Sequence, residues 1–141
     1  MKIAIGADHG GLIMKNAVSE YLKSKNIEIV DVGTFTSESC DYPIYAKSVA
    51  EKVAENDCDY GVLCCTTGIG MSMVANKVKG VRAALVSDAF SAEMTRRHNN
   101  ANVICFGSKI VSIQSAVNFL RIFIDTPFEG GRHQRRVDMF E

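Results

Sequence analysis

The residues best suited to chemistry lie in Gly61-Val-Leu-Cys-Cys-Thr-Thr-Gly-Ile-Gly70. An apolar run ends in two thiols, two threonines and two spaced glycines follow, and Met71 to Lys77 reads as the start of a helix. A strand that turns through small residues into a helix gathers unpaired backbone N–H groups at one point. Those groups and the helix dipole favour an anion or a developing oxyanion. A thiol at the lip of such a turn sits where thiolates are favoured. Period-two alternation sends Cys64 and Cys65 to opposite faces of the strand, so Cys65 is the candidate and Cys64 belongs to the core. The competing reading makes Cys65 a buried strand-end thiol. Thr66, Thr67, Gly68, Ile69 and Gly70 contain no Walker A pattern, and Met73 stands where a dinucleotide fingerprint needs its third glycine. What remains is a pocket for a small anion or an oxyanion.

Other chemistry-bearing residues are scattered. His9 follows Asp8 and precedes two glycines, a tight polar turn in which Asp8 also suits the cap of the next helix. His98 and Asn99 sit in Thr95-Arg-Arg-His-Asn-Asn100 at a predicted helix end, where a protonated imidazole is favoured. Arg132 and Arg136 are spaced i, i+4 on a terminal helix behind Gly130-Gly131, either a solvated basic end or a two-arginine phosphate clamp. His133 is the third histidine, with no role assigned. Together these parts suit proton transfer beside a carbonyl on a small phosphorylated substrate.

The elements that must position them alternate. Strands are predicted at Lys2–Gly6, Glu28–Val32, Tyr60–Cys64, Val81–Val86 and Asn102–Phe106. Helices are predicted at Leu12–Lys25 (with Lys15 on its polar face), Ile44–Glu55, from the glycine turn through Asn76, from the Ser87-Asp88 cap to about His98, Ser112–Ile124, and from Arg132 to the terminus. Short apolar strands alternating with helices predict an α/β fold: three layers, a five-stranded parallel sheet with helices on both faces. The 141 residues are read as a single domain, 1–141. Ligands in such sheets bind beyond the carboxyl ends of the strands. That rule selects the turns at Asp8-His9, Cys65–Gly70 and Gly107–Lys109. It leaves His98 at the wrong end of its own subunit, which points to a second chain.

The totals narrow the class. Sixteen basic and sixteen acidic residues cancel, so no global charge argues for nucleic acid or a membrane surface. No apolar run approaches the ~20 residues of a membrane span, and the opening Met1-Lys-Ile-Ala-Ile-Gly6 reads as a strand rather than a signal peptide. Five irregularly spaced cysteines, with no C-x-x-C pair, argue against a zinc site and for a reduced, cytoplasmic setting.

Four segments resemble a known family. Ile5-Gly-Ala-Asp-His-Gly-Gly11, Cys65-Thr-Thr-Gly-Ile-Gly70 with Ala75-Asn-Lys77, Arg97-His-Asn-Asn-Ala-Asn-Val103 with Phe106-Gly107, and Gly130-Gly-Arg-His-Gln-Arg-Arg136 are similar to type B ribose-5-phosphate isomerases, a family that includes galactose-6-phosphate isomerase subunits. Asp41-Tyr-Pro43 matches as well, and the likeness spans essentially the whole chain in order. The resemblance implies a Rossmann-like fold and a homodimer or tetramer with active sites shared between subunits. It also implies cofactor-free, metal-free aldose–ketose isomerisation through a cis-enediol. Carried over, Cys65 is the base. Thr67 and the backbone N–H groups around Thr66 to Gly70 stabilise the enediolate. His98 is the ring-opening acid, and Asn99 positions the sugar. Asp8 and Tyr42 contact hydroxyls. His9, Arg132, Arg136 and Lys109 hold the phosphate.

Members of the family without the cysteine use a glutamate one residue past the second turn glycine. Met71 stands there, so the cysteine subtype is self-consistent. Two positions depart from the family pattern: Thr66 replaces the usual glycine, and Lys109 stands where arginine is frequent. Two other readings stay open, a galactose-6-phosphate or other hexose-phosphate isomerase subunit and a non-catalytic phosphosugar sensor.

Overall fold

The computed structural model describes residues 1–141. Five strands form one all-parallel sheet: β1 (Lys2–Ala7), β2 (Glu28–Asp31), β3 (Tyr60–Cys65), β4 (Ala83–Leu85) and β5 (Val103–Gly107), in the order β2-β1-β3-β5-β4. Between and after them run α1 (Leu12–Ser24), α2 (Tyr42–Ala54), α3 (Ile69–Ala75), α4 (Ala89–Arg97), α5 (Ile113–Asp125) and α6 (Arg132–Val137). Register is continuous through the centre, with Ala7 opposite Cys64 and Cys65 opposite Gly107.

The strand order decides the layers. Right-handed crossovers put helices that carry the chain leftward along the sheet on one face and those that carry it rightward on the other. The steps β1→β2 and β4→β5 run one way, and β2→β3 and β3→β4 run the other. Accordingly α1 and α5 pack with Ala92 of α4 over Ile3, Ile5, Val62, Cys64, Ile104 and Phe106. On the opposite face, α2 and α3 pack over Ala4, Leu63, Cys65, Val103 and Cys105. The central strands are buried on both faces, which is why their sequences read as apolar runs without alternation.

Several boundaries differ from the sequence reading. α2 begins at Tyr42, two residues early, because Pro43 in its first turn lacks only an N–H that has no intrahelical acceptor. β4 shrinks to three residues because it is an edge strand paired with β5 alone. Asn102 also bonds to the segment entering β4, its side-chain oxygen accepting from the Arg82 N–H at 2.8 Å. Lys15 is a correction: it is fully buried rather than on a polar face. Its Nζ lies 2.6 Å from Asp31 Oδ2 and 4.8 Å above the Phe35 ring.

Candidate active site

Cys65 ends the central strand β3, and the strands on both sides of it, β1 and β5, lead to helices on the opposite face from α3. The chain therefore leaves the sheet in opposing directions on either side of Cys65, which opens a crevice at that point. Three turns converge there and are sewn together. Ser108 N–H donates to the Cys65 carbonyl at 2.8 Å and Lys109 N–H to the Thr66 carbonyl at 3.0 Å. Ser108 Oγ donates to the Gly10 carbonyl at 2.7 Å, and Asp8 N–H to the Cys64 carbonyl at 3.3 Å. The sequence reading missed Ser108. Its place in the turn after β5 was the available signal.

Cys65 is buried, and its Sγ accepts the Gly68 N–H at 3.0 Å. That bond exists because Gly68 turns left-handed, with φ at +77° and no room for a Cβ beside the Phe106–Gly107 backbone. Negative charge on Sγ is thus met by a backbone dipole. Ile69 N–H points to Thr67 Oγ1 at 3.3 Å. Two of the N–H groups assigned to an enediolate cradle are therefore engaged within the turn, one of them on the thiol itself. Cys64 faces the other layer, where complete burial pushes its thiol well above the ordinary range.

Around the thiol, Asp8 is 7% exposed and uses only Oδ1 in the turn, accepting from Gly10 N–H at 2.9 Å and Gly11 N–H at 3.1 Å. It thus shapes the entry to α1 and keeps a second oxygen for a ligand. His9 is exposed, and its Nδ1 accepts the Cys40 N–H at 3.2 Å. That bond assigns the ring proton to Nε2, leaving a donor on the far side of the ring. Tyr42 lies against Gly70, where a Cβ would come within 2.7 Å of its ring. Thr66, Thr67, Ile69 and Lys109 are exposed around the same mouth.

A second group sits at the other end of the sheet. α4 returns antiparallel to its strands, and Arg96 near its end donates to the hydroxyl of Tyr60, the first residue of β3, at 3.0 Å. Five residue steps of strand put Cys65 roughly 17 Å from that end. There the His98 ring stacks on His133, with centroids 4.3 Å apart and planes 10° from parallel. His133 is buried, and burial, reinforced by the neighbouring charges of His98 and Arg132, pushes its pKa down. Glu129 N–H donates to the Arg97 carbonyl at 3.1 Å, and its Oε1 pairs with Arg97 Nε at 2.7 Å. Arg132 and Arg136 are exposed on α6, the helix that carries His133. Asn99 lines the largest concavity, about 580 Å³, shared with Asn76, Arg82 and Glu141.

The predicted residues thus fall into two clusters rather than one. Asp8, His9, Tyr42, Thr66 to Gly70 and Lys109 gather around Cys65, while His98, Asn99, Arg132 and Arg136 do not. In particular, a clamp joining His9 to Arg132 and Arg136 is not formed within one chain, because β1 ends at the carboxyl edge and α6 lies against the amino-edge end of α4. The sequence reading also missed Glu129 and the placement of His133. Their i, i+4 spacing spans Gly130-Gly131, which removes the helical signal that would have paired them.

An open parallel sheet with a dipole-supported thiol at its switch point, flanked by a carboxylate and an imidazole, defines a class: a Rossmann-like protein equipped for proton transfer on a small polar ligand. The model of the Ribose/Galactose Isomerase family matches residues 3–140, and the chain belongs to that family. It is 44% identical over 137 residues to ribose-5-phosphate isomerase B of Escherichia coli, covering 97% of this chain and 92% of that one. Identity to the Listeria innocua ribose-5-P isomerase B is 45% over 141 residues, covering 100% of this chain and 95% of the relative. Among solved structures, Clostridium thermocellum ribose-5-phosphate isomerase B superimposes with a TM-score of 0.98 at 42% identity, over 99% of this chain and 94% of the other. The Mycoplasma genitalium ribose-5-phosphate isomerase B with bound ribulose-5-phosphate gives 0.95 at 46% identity, over 98% and 92%.

Proposed function

We propose that the chain is an aldose–ketose isomerase interconverting ribose 5-phosphate and ribulose 5-phosphate, with each active site assembled from two copies. The observation that carries this is the Cys65 thiol, held by the Gly68 N–H at 3.0 Å at the switch point of a fold shared along nearly its whole length with ribose-5-phosphate isomerases.

The chemistry is a proton transfer between adjacent carbons. His98 of a second copy gives a proton to the ring oxygen, the anomeric hydroxyl passes its own proton to solvent water, and the sugar opens to the free aldehyde. Cys65 as thiolate takes the C2 proton, leaving a cis-enediolate. The returned proton goes to C1, and the hydroxyl proton shifts between O1 and O2. Thr67 and the turn N–H groups not spent on Cys65 and Thr67 hold the charge that develops on oxygen. Asp8 and Tyr42 orient hydroxyls. His9 and Lys109 meet the phosphate from one side, and Arg132 and Arg136 of the second copy meet it from the other. Asn99 positions the sugar beside His98.

The surface supports a second copy. Ile69, Leu85 and Ile110 line one shallow apolar hollow next to Thr67, and Phe90 at the start of α4 is 72% exposed. Exposed apolar surface beside a reactive thiol fits a subunit interface better than solvent.

Incubating the purified chain with ribose 5-phosphate in D2O tests the reading. Product ribulose 5-phosphate and deuterium at the transferred position are expected. Cys65→Ala should lower kcat by about 10²–10⁴-fold, the usual worth of a positioned base, with little change in KM. Undiminished turnover in that variant removes Cys65 as base. Binding without hydrogen exchange identifies a sensor, and preference for a hexose 6-phosphate reassigns the substrate.

A further inference from the structure

His98, Glu129 and His133 bring two imidazoles and a carboxylate together so that one donor atom from each lies within 4.8 Å of the others. Two separate stretches deliver them: the end of α4 brings His98, and the loop after α5 with the first turn of α6 that it enters brings Glu129 and His133. Two features show that the cluster is built to point inward. Arg97 holds Glu129 Oε1, so the free Oε2 is left 3.3 Å from His133 Nε2. That Nε2 is buried, and the 3.3 Å approach of Oε2 does not have hydrogen-bond geometry, so the nitrogen is faced by a carboxylate without being satisfied by it. Nothing in the proposed isomerisation uses either Glu129 or His133.

We propose that His98, Glu129 and His133 bind a zinc-class divalent ion, and that the bound ion inhibits the enzyme by taking His98 away from ring opening. The inhibitory half rests on the role assigned to His98 above; the site itself does not. Two imidazole nitrogens and one carboxylate oxygen are a donor set that zinc accepts with a fourth position open, and imidazole selects zinc-class ions over magnesium or calcium. Parallel stacked rings cannot aim both lone pairs at one point, so binding turns the His98 ring out of the stack. That ring is half-buried and held by stacking alone. Bond lengths of about 2.0–2.1 Å require the donors to close to roughly 3.3 Å, a movement within reach of one side-chain rotation. The facing charges are Arg97, already paired with Glu129, and Arg132 and Arg136 on α6. They disfavour a bare cation and favour an anion, such as phosphate or hydroxide, in the open position. Affinity is therefore moderate, and the ion acts as a reversible inhibitor rather than a resident cofactor.

Equilibrium dialysis of the full-length, chelator-treated protein with Zn²⁺ should find one ion per chain, and Co²⁺ in its place should give the visible spectrum of a tetrahedral nitrogen–oxygen site. Glu129→Gln, whose folding is checked by thermal melt, and His133→Asn should each weaken binding about tenfold or more. Zn²⁺ should inhibit wild-type isomerisation and a chelator should restore it, while Glu129→Gln keeps basal activity and loses sensitivity. Failure to bind stoichiometrically overturns the proposal. So does binding that survives both variants but is lost in Cys65→Ala or Cys40→Ala, which would place the ion on the thiols. Zinc binding at the site in a protein that shows no isomerase activity would overturn the enzymatic reading and leave the site standing.

Discussion

Cys64 and Cys65 are adjacent, chemically identical and both buried, yet they face opposite layers and only Cys65 receives a backbone N–H. Cys64 lies in the α1–α5 layer, where desolvation holds the thiol protonated. Cys65 lies in the α2–α3 layer and its Sγ receives the Gly68 N–H. That difference follows from strand alternation and was readable in the sequence. Lys15 was not. A lysine in an amphipathic helix reads as solvated, and its partner Asp31 sits 16 residues on, in a different element, at 2.6 Å. With Lys15 fully buried and the Asp31 side chain 28% exposed, the two ends of this pair are not equivalent. Asp31→Asn strands an ammonium in the core, and its urea midpoint should fall by the equivalent of about 3 kcal/mol, the low end for breaking a buried pair. Lys15→Met leaves the carboxylate partly in water and should stay within about 1 kcal/mol of wild type. Equal losses in the two variants would show that the pair acts as a simple surface ion pair.

At the scale of elements, the strands were legible because burial on both faces writes them as apolar runs, and the starts of two helices, α4 and α5, because they carry side-chain caps. Asp88 caps α4, its side chain accepting the Ser91 N–H at 2.7 Å. Ser112 caps α5 in the same way toward Ser115 N–H, at 3.1 Å. α5 covers much of one face through Ala116, Phe119, Leu120 and Phe123, so its first turn matters to the core. Ser112→Ala should cost about 1 kcal/mol and Ser112→Gly only a few tenths, because glycine leaves the end of the helix open to water. That order, measured by denaturant unfolding, separates a lost cap from a lost side-chain contact, which would make glycine the worse of the two. Less legible were elements governed by distant partners. β4 is cut short by its edge position, and α6 gives no hint in its own residues that His133 will stack under the end of α4.

For the whole molecule, the sheet itself argues for more than one chain per site. β1, β3 and β5 bring Asp8, His9, Cys65 and Lys109 to one edge, and the return of α4 carries His98 to the opposite edge with Arg132 and Arg136 beside it. No side-chain rotation spans roughly 17 Å of strand, so a reaction that uses both groups requires the carboxyl edge of one copy to face the amino edge of another. The separation of His98 from Cys65 followed from element order once His98 was placed at a helix end; the identity of its neighbours did not. The arrangement makes a sharp prediction. If sites are shared between two copies, Cys65→Ala and His98→Ala chains should each be impaired on their own, because every site lacks one group. When the two are unfolded together, refolded and mixed, half of the chains in a random population pair as heterodimers. In each heterodimer one site lacks both groups and the other has both intact. Isomerase activity in the mixture should therefore return toward a quarter of wild type, far above either variant alone. Tagged heterodimers isolated from the mixture should approach one half. If verified heterodimers remain as inactive as their parents, His98 and Cys65 do not serve the same site, and the acid must be sought among residues at the carboxyl edge, with His9 the first to test.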